Sequence, residues 1–133
     1  MPHSVSPILL LFGLALAGCS PKVGKSELGG QYAVTIDGER QTIRINSNGT
    51  YDNEFYRENS LVWHSRNRWS YKREPGLGDA ITFDEFQFGL KAYDNGTRGF
   101  WIVDPERSWS GAIELCFDPD LNNRCFVKES IST

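Results

Sequence analysis

The sequence of 133 residues lacks most of the features that mark common enzymes and nucleic-acid binding proteins. It contains no G-x-S-x-G, HExxH or glycine-rich phosphate-binding motif. Apart from His3 the only histidine is His64, so a general base is scarce, and no pair of carboxylates stands out by its spacing. The net charge of −3, from 14 basic and 17 acidic residues, argues against nucleic acid as a partner. We therefore expect a binding protein without a cofactor, and not an enzyme.

The first 18 residues contain no lysine, arginine, aspartate or glutamate. Residues 8–17 form an apolar run about half as long as a membrane-spanning helix, a length typical of the core of a signal peptide. The segment lacks the lysine or arginine that usually precedes such a core, so either the export signal is weak or the true start lies elsewhere. We predict that residues 1–18 are a signal peptide.

The leader ends in Leu16-Ala17-Gly18-Cys19, which resembles the lipobox of bacterial lipoproteins. The resemblance implies cleavage after Gly18 and attachment of acyl chains such as palmitate at Cys19, which anchors a protein firmly to a membrane. Ser20 in the next position is similar to the pattern that directs Gram-negative lipoproteins to the outer membrane, facing the periplasm. Residues 19–28 are then the lipidated cysteine and a flexible tether, and residues 29–133 are the folded domain.

Cysteine is also rare, with three in the chain. If Cys19 carries lipid, Cys116 and Cys125 remain, and in an oxidising periplasm we predict that they form a disulfide, with two free thiols as the alternative. We expect no metal site, because no further cysteine is available and His64 is the only histidine after the leader.

Beyond the tether, short segments rich in β-branched and aromatic residues alternate with turn sequences. This pattern predicts an all-β fold, a small antiparallel meander barrel or sandwich of about 8–10 short strands. Asp37-Gly38 and Asn48-Gly49 are predicted hairpin turns. Leu61–His64 and Arg68–Arg73 are predicted to pair around a turn at residues 65–67, and a change of phase predicts a bulge near Asp84-Glu85.

Several of these segments resemble the opening of small lipocalin-like barrel domains. The matching residues are Gly29-Gly30-Gln31-Tyr32, the alternating Ile43 and Ile45, Asn48-Gly49-Thr50-Tyr51, and Trp69. Asn67-Arg68 stands where that family has a glycine before the tryptophan. The resemblance implies a meander barrel and, as one expectation, a small apolar or amphipathic ligand inside it.

A basic and aromatic stretch between Arg57 and Arg73 is the most distinctive local feature. Its candidate binding residues are Trp63, Arg66, Arg68, Lys72 and Arg73. In an extended strand Arg68 and Lys72 lie on the face opposite Trp69. They form either the ordinary solvated outside of the barrel or a docking surface for an anionic partner such as a protein, lipid A phosphates or an acidic glycan. Trp109, in a polar loop, is a second candidate.

Two functions remain open from sequence. In the first, the domain is a binding module for another envelope protein, for example as an inhibitor, an immunity factor or an assembly accessory. In the second, it carries a small apolar ligand in its interior. The many aromatic residues favour a filled barrel, and therefore the first function.

Overall fold

A computed structural model of the chain describes residues 23–74, 78–91, 98–118 and 124–130. Nine strands in this part of the chain form one antiparallel sheet that curls into a half-barrel, which confirms the predicted all-β class. They are β1 (Gly30–Ile36), β2 (Glu39–Ile45), β3 (Thr50–Arg57), β4 (Ser60–Glu74), β5 (Gly78–Gln87), β6 (Arg98–Val103), β7 (Glu106–Arg107), β8 (Ile113–Cys116) and β9 (Cys125–Lys128). Among the described residues no helix is long and apolar enough to cross a membrane.

The strand order is β6-β5-β4-β3-β2-β1-β9-β8-β7, so nearly every strand lies beside its neighbour in sequence. The two end strands of this order, β6 and β7, are consecutive in the chain and are joined by Asp104 and Pro105. One stretch of chain therefore pairs with β5 in its first half and with β8 in its second. Proline has no N–H to donate and commonly interrupts a ladder in this way. This stretch therefore connects the two ends of the strand order.

Tight turns fix the register of the first four strands. Asp37 and Gly38, with φ of 51° and 78°, connect β1 to β2 as predicted, and Gly49, with φ of 87°, lies in the predicted turn before β3. Glu58 and Asn59 also have positive φ, at 49° and 66°, between β3 and β4. Because register decides which face a side chain takes, these turns set which residues face the interior.

The predicted turn at residues 65–67 is wrong, because β4 runs without interruption from Ser60 to Glu74. Its first part pairs with β3, where Arg66 lies opposite Asp52, and its second part pairs with β5. The predicted bulge is confirmed: the β5–β6 register shifts between Phe83 and Phe86, and Glu85 has a φ of 52°.

Aromatic side chains fill the centre of the sheet. Phe86 lies 4.7 to 6.3 Å, between ring centroids, from the rings of Tyr51, Phe83, Phe88, Trp101 and Phe126. The Tyr51 hydroxyl donates to the carbonyl of Asp84, 2.6 Å away, and thereby ties β3 to the bulge. Packed aromatic pairs of this kind each contribute about 0.5–1.5 kcal/mol beyond the area that they bury.

The segment after β5 enters the interior and is held there by two fully buried amides. Gln41 Nε2 donates to Asn53 Oδ1 and to the carbonyl of Gln87, both at 2.8 Å, and Asn53 Nδ2 donates to the same carbonyl at 3.0 Å. The Gly89 N–H donates to Gln41 Oε1 at 3.0 Å. A Cβ at Gly89 would lie 2.5 Å from the ring of Phe55, so glycine allows this close approach. Residues 87–91 therefore close one end of the barrel from within.

The chain before β1 covers the other end. Val23 and Leu28 are buried on either side of a single 3-10 turn, Lys25–Glu27, and the Tyr32 hydroxyl donates to the Leu28 carbonyl at 2.7 Å. Residues 23–28, which the sequence assigned to the tether, are thus in contact with the barrel.

The predicted disulfide between Cys116 and Cys125 is confirmed. The two residues are direct partners in the β8–β9 register, so the bond joins the strands that complete the sheet beside β1.

We predict that Gln41→Met lowers the free energy of unfolding by about 2–4 kcal/mol, because it removes the hydrogen bonds to the part-buried Gly89 N–H and to the fully buried Asn53 Oδ1. Methionine has a similar size, so the loss reflects the hydrogen bonds and not a cavity. Urea unfolding measures it. The matched control, Gln31→Met on the neighbouring strand, replaces a partly exposed amide and is expected to cost less than about 1 kcal/mol. Equal losses in the two variants would contradict this account.

Candidate functional site

The long strand β4 presents its basic side chains to solvent. Arg66, Arg68 and Lys72 are exposed, whereas Trp69 and Tyr71 are half-buried against the core, as the predicted alternation requires. Trp63 also faces inward, where it stacks on Phe55 with ring centroids 5.8 Å apart. The structure therefore separates Trp63 from the basic residues with which the sequence grouped it.

Asp52, on the outer face of β3, is enclosed by hydrogen-bond donors and is only 8% exposed. Arg66 donates from Nε to Oδ1 at 2.8 Å and from its terminal nitrogen to Oδ2 at 3.2 Å. His64 Nε2 lies 2.9 Å from Oδ1, and Asn46 Nδ2 donates to Oδ2 at 2.9 Å. This cluster joins the β2–β3 turn, β3 and β4, and it was not anticipated from the sequence.

The Arg66 guanidinium beside Asp52 holds the pKa of that carboxyl well below its usual range. Burial acts in the opposite direction, and the hydrogen bonds from Asn46 and His64 lower the pKa further. A carboxylate that stays ionised at neutral pH and already accepts hydrogen bonds from three side chains is poorly suited to take up a proton as a general base. The cluster is best explained as a clip between strands.

Ion pairing divides the predicted basic residues into two groups. Arg66 is paired with Asp52, and Arg73 Nε lies 3.6 Å from Asp79 Oδ1. Arg68 and Lys72 have no ion pair within the described residues. These two carry the positive charge that is available to a partner.

Two large apolar side chains lie on the same side of the sheet. Phe100 and Ile102 of β6 are 75% and 66% exposed, whereas Trp101 between them faces the core. The register places Ile102 opposite Thr82 of β5, which lies opposite Ser70 of β4. Two strand spacings of about 4.8 Å put Ile102 roughly 10 Å from the row that contains Arg68 and Lys72. We call this surface the β4–β6 face; its residues are Arg68, Ser70, Lys72, Thr82, Phe100 and Ile102.

The β4–β6 face ends at an edge strand. In the described part of the chain, β6 pairs with β5 on one side and with no strand on the other. An edge strand offers backbone donors and acceptors to another extended chain. Sequence reasoning did not select Phe100 and Ile102, although their phase opposite Trp101 and Val103 in the predicted strand was a signal for it.

Trp109 lies elsewhere, in the hairpin between β7 and β8, and its side chain is fully exposed. None of the described contacts brings it to the β4–β6 face. The structure therefore places the predicted site residues in four separate groups. They are the ion-paired Arg66 and Arg73, the exposed Arg68 and Lys72, the inward-facing Trp63, and the distant, exposed Trp109.

One group of residues has a spacing that suits a metal ion. Glu114, Cys116 and Cys125 place their ligand atoms within 4.8 Å of one another. The two sulfur atoms are bonded to each other, however, and a disulfide sulfur is not the thiolate that binds a metal. We assign this group to the disulfide.

No family model, curated protein or solved structure matches this chain. The assignment of function therefore depends on the geometry of the chain itself.

We predict that Asp52→Asn lowers the free energy of unfolding by about 1–2 kcal/mol at about pH 7. The carboxyl pKa is lower in the folded state than in the unfolded chain, so its contribution is fully present above the unfolded value of about 3.9 and is lost as the pH falls towards the folded pKa. The difference between wild type and variant should therefore narrow below about pH 4. Urea unfolding across this range measures it.

The control for this prediction is Glu129→Gln, which removes a half-exposed ion pair with Arg40. Exposed pairs contribute about 0–1 kcal/mol, so a smaller loss is expected at every pH. A difference between wild type and Asp52→Asn that stays constant from neutral to acidic pH would refute the role given to the ionised carboxylate.

Proposed function

We propose that this chain is a lipid-anchored protein of the bacterial cell envelope that binds another envelope protein on its β4–β6 face. The observation that carries the proposal is the joint exposure of Phe100 and Ile102 on the same face as Arg68 and Lys72, two cations that form no ion pair with a described residue. Large apolar side chains grouped on a surface mark interaction sites more often than scattered ones do. The lipid anchor itself is supported by the lipobox-like sequence that ends at Cys19.

The chemistry of the β4–β6 face favours a partner with an acidic, extended segment. Arg68 and Lys72 would attract carboxylates, and Phe100 and Ile102 would contact apolar side chains of the same segment. The edge of β6 that pairs with no described strand could pair with that segment through the backbone, which is a common mode of peptide recognition.

The interior gives less support to the alternative function as a ligand carrier. Residues 87–91 occupy one end of the barrel, and Val23 and Leu28 are buried at the other. Between these ends the aromatic cluster around Phe86 packs ring against ring. A carrier needs an internal space, whereas the described part of this interior is lined and crossed by the chain's own side chains.

We predict that Cys19→Ala releases the protein from the membrane fraction and abolishes incorporation of labelled palmitate, because the substitution removes the thiol that would carry the acyl chains. Fractionation and metabolic labelling of the full-length protein measure the two effects. Cys116→Ala, which breaks the disulfide and leaves Cys19 intact, should keep the label. A Cys19→Ala protein that remains in the membrane fraction would refute the proposed lipid attachment at Cys19.

We predict that the double substitution Phe100→Ser and Ile102→Ser weakens binding of the partner at least about 10-fold, since both side chains would be buried in the complex. The partner is first captured by a photoreactive residue at Thr82, identified, and purified. Its affinity for full-length variants is then measured at low and high salt, and higher salt should weaken it.

The matched control is the double substitution Leu61→Ser and Val62→Ser, which changes a similarly exposed apolar pair, at 54% and 49%, at the start of β4. It should leave the affinity unchanged, whereas Arg68→Glu with Lys72→Glu should lower it. If the control pair weakens binding as strongly as the Phe100 and Ile102 pair, the β4–β6 face is not the docking surface.

A further inference from the structure

Trp109 is the most exposed large apolar side chain in the described part of the chain, at 108% of its reference accessibility. All four tryptophans are described, and Trp63, Trp69 and Trp101 pack against the core. An indole exposes a large apolar surface and a single N–H donor. An exposed ring of this kind could enter an interface with an apolar and a hydrated side.

The hairpin that carries Trp109 holds the ring away from the sheet. The Ser108 N–H donates to the Ala112 carbonyl at 2.9 Å, and the Gly111 N–H donates back to the Ser108 carbonyl at 2.9 Å. Gly111 takes a φ of 85°, and the hydroxyls of Ser108 and Ser110 lie 2.8 Å apart. These bonds close a four-residue loop with Trp109 at its tip.

A chain of polar contacts links this hairpin to the point where the N-terminal segment meets the barrel. The Gly24 N–H donates to Glu27 Oε2 at 2.9 Å, and Glu27 Oε1 lies 2.5 Å from the terminal nitrogen of Arg107. Arg107 in turn donates to the Gly111 carbonyl at 3.4 Å. A groove of about 490 Å³ is lined both by Glu27 and by Ser110 and Gly111, the two residues that follow Trp109.

Cys19 precedes Val23 by four residues, and four residues of chain span at most about 14 Å. Val23 is buried and is followed directly by Gly24, the first group in the chain of contacts to the hairpin. Acyl chains on Cys19 would therefore hold this end of the barrel at the membrane surface, within reach of the Trp109 loop.

We propose that the Trp109 hairpin is a membrane-interface contact, in which the indole enters the headgroup region of the lipid bilayer beside the lipidated Cys19. This inference rests on the proposed lipid anchor. Tryptophan is enriched at membrane–water interfaces because its ring is apolar and its N–H remains hydrated. Amphipathic helices bury their apolar face about 5–10 Å into the boundary between headgroups and acyl chains, and Trp109, at the tip of its hairpin, would enter the same region.

The contact would also orient the domain. A single flexible tether leaves the barrel free to tumble, whereas a second attachment point at Trp109 fixes which end faces the lipid. Lys25, exposed in the 3-10 turn beside Glu27, lies at the same end and suits anionic headgroups. The occupant of this surface is thus a lipid surface and not the envelope partner, which is assigned to the β4–β6 face.

The test uses full-length protein, purified from membranes with its lipid and reconstituted into phosphatidylethanolamine and phosphatidylglycerol vesicles whose acyl chains are brominated near the headgroup. Bromine quenches tryptophan at short range. The chain has four tryptophans, so we expect bromine to lower the tryptophan fluorescence of wild type by roughly a quarter. Trp109→Ala should show no bromine-dependent loss of fluorescence. Phe100→Ala, which truncates an exposed aromatic residue at the other site, should behave as wild type.

The outcomes separate the anchor from the hairpin contact. Protein that fails to float with the vesicles overturns both proposals. Protein that floats, but in which wild type and Trp109→Ala are quenched equally, overturns the hairpin contact alone. Vesicle-bound wild type in which aqueous iodide still quenches the fluorescence of Trp109 would also overturn the hairpin contact. A protein partner would then be the occupant to test at the hairpin.

Discussion

The hydrogen bonds between the buried amides of Gln41 and Asn53 and the segment 87–91 are the constraint on which the rest of the structure depends. Two amides on inward faces of strands would be costly in a barrel without partners, because each buried polar group that lacks a hydrogen bond costs about 1–3 kcal/mol. The segment after β5 supplies those partners. In doing so it places Phe88 against Phe86 and Trp101, so the polar contact and the aromatic core form together.

Filling the interior in this way determines what the outside presents. Trp101 faces the core, so Phe100 and Ile102 on either side of it must face solvent. On β4 the same alternation turns Arg66, Arg68 and Lys72 outward. The clip between Arg66 and Asp52 then neutralises one of these three cations and leaves the other two available. The β4–β6 face is therefore a consequence of the core.

Local patterns in the sequence were sufficient for the features that depend on near neighbours. The positive φ angles at Asp37 and Gly38 follow from the residue types, and the alternation from Arg68 to Lys72 follows from the two-residue period of a strand. The features that escaped depend on distant partners. Ser65-Arg66-Asn67 reads as a turn, but Asp52, 14 residues before Arg66, keeps it extended. From sequence, Gln41 is only a polar residue within an apolar strand pattern. Its role depends on Gln87 and Gly89, 46 and 48 residues away, which the fold places within hydrogen-bond distance.

The two ends of the barrel are closed by different means, and this difference separates the proposed contacts. Residues 87–91 close one end from inside. The other end is covered by residues 23–28, which contact the Trp109 hairpin through the ion pair between Glu27 and Arg107. Lipid at Cys19 and indole at Trp109 would both act at that end. The β4–β6 face runs along the side of the sheet, between the ends, because its residues lie within strands and not in turns. Attachment at one end would therefore leave this side open to a partner in the same compartment, and anchoring would not compete with binding.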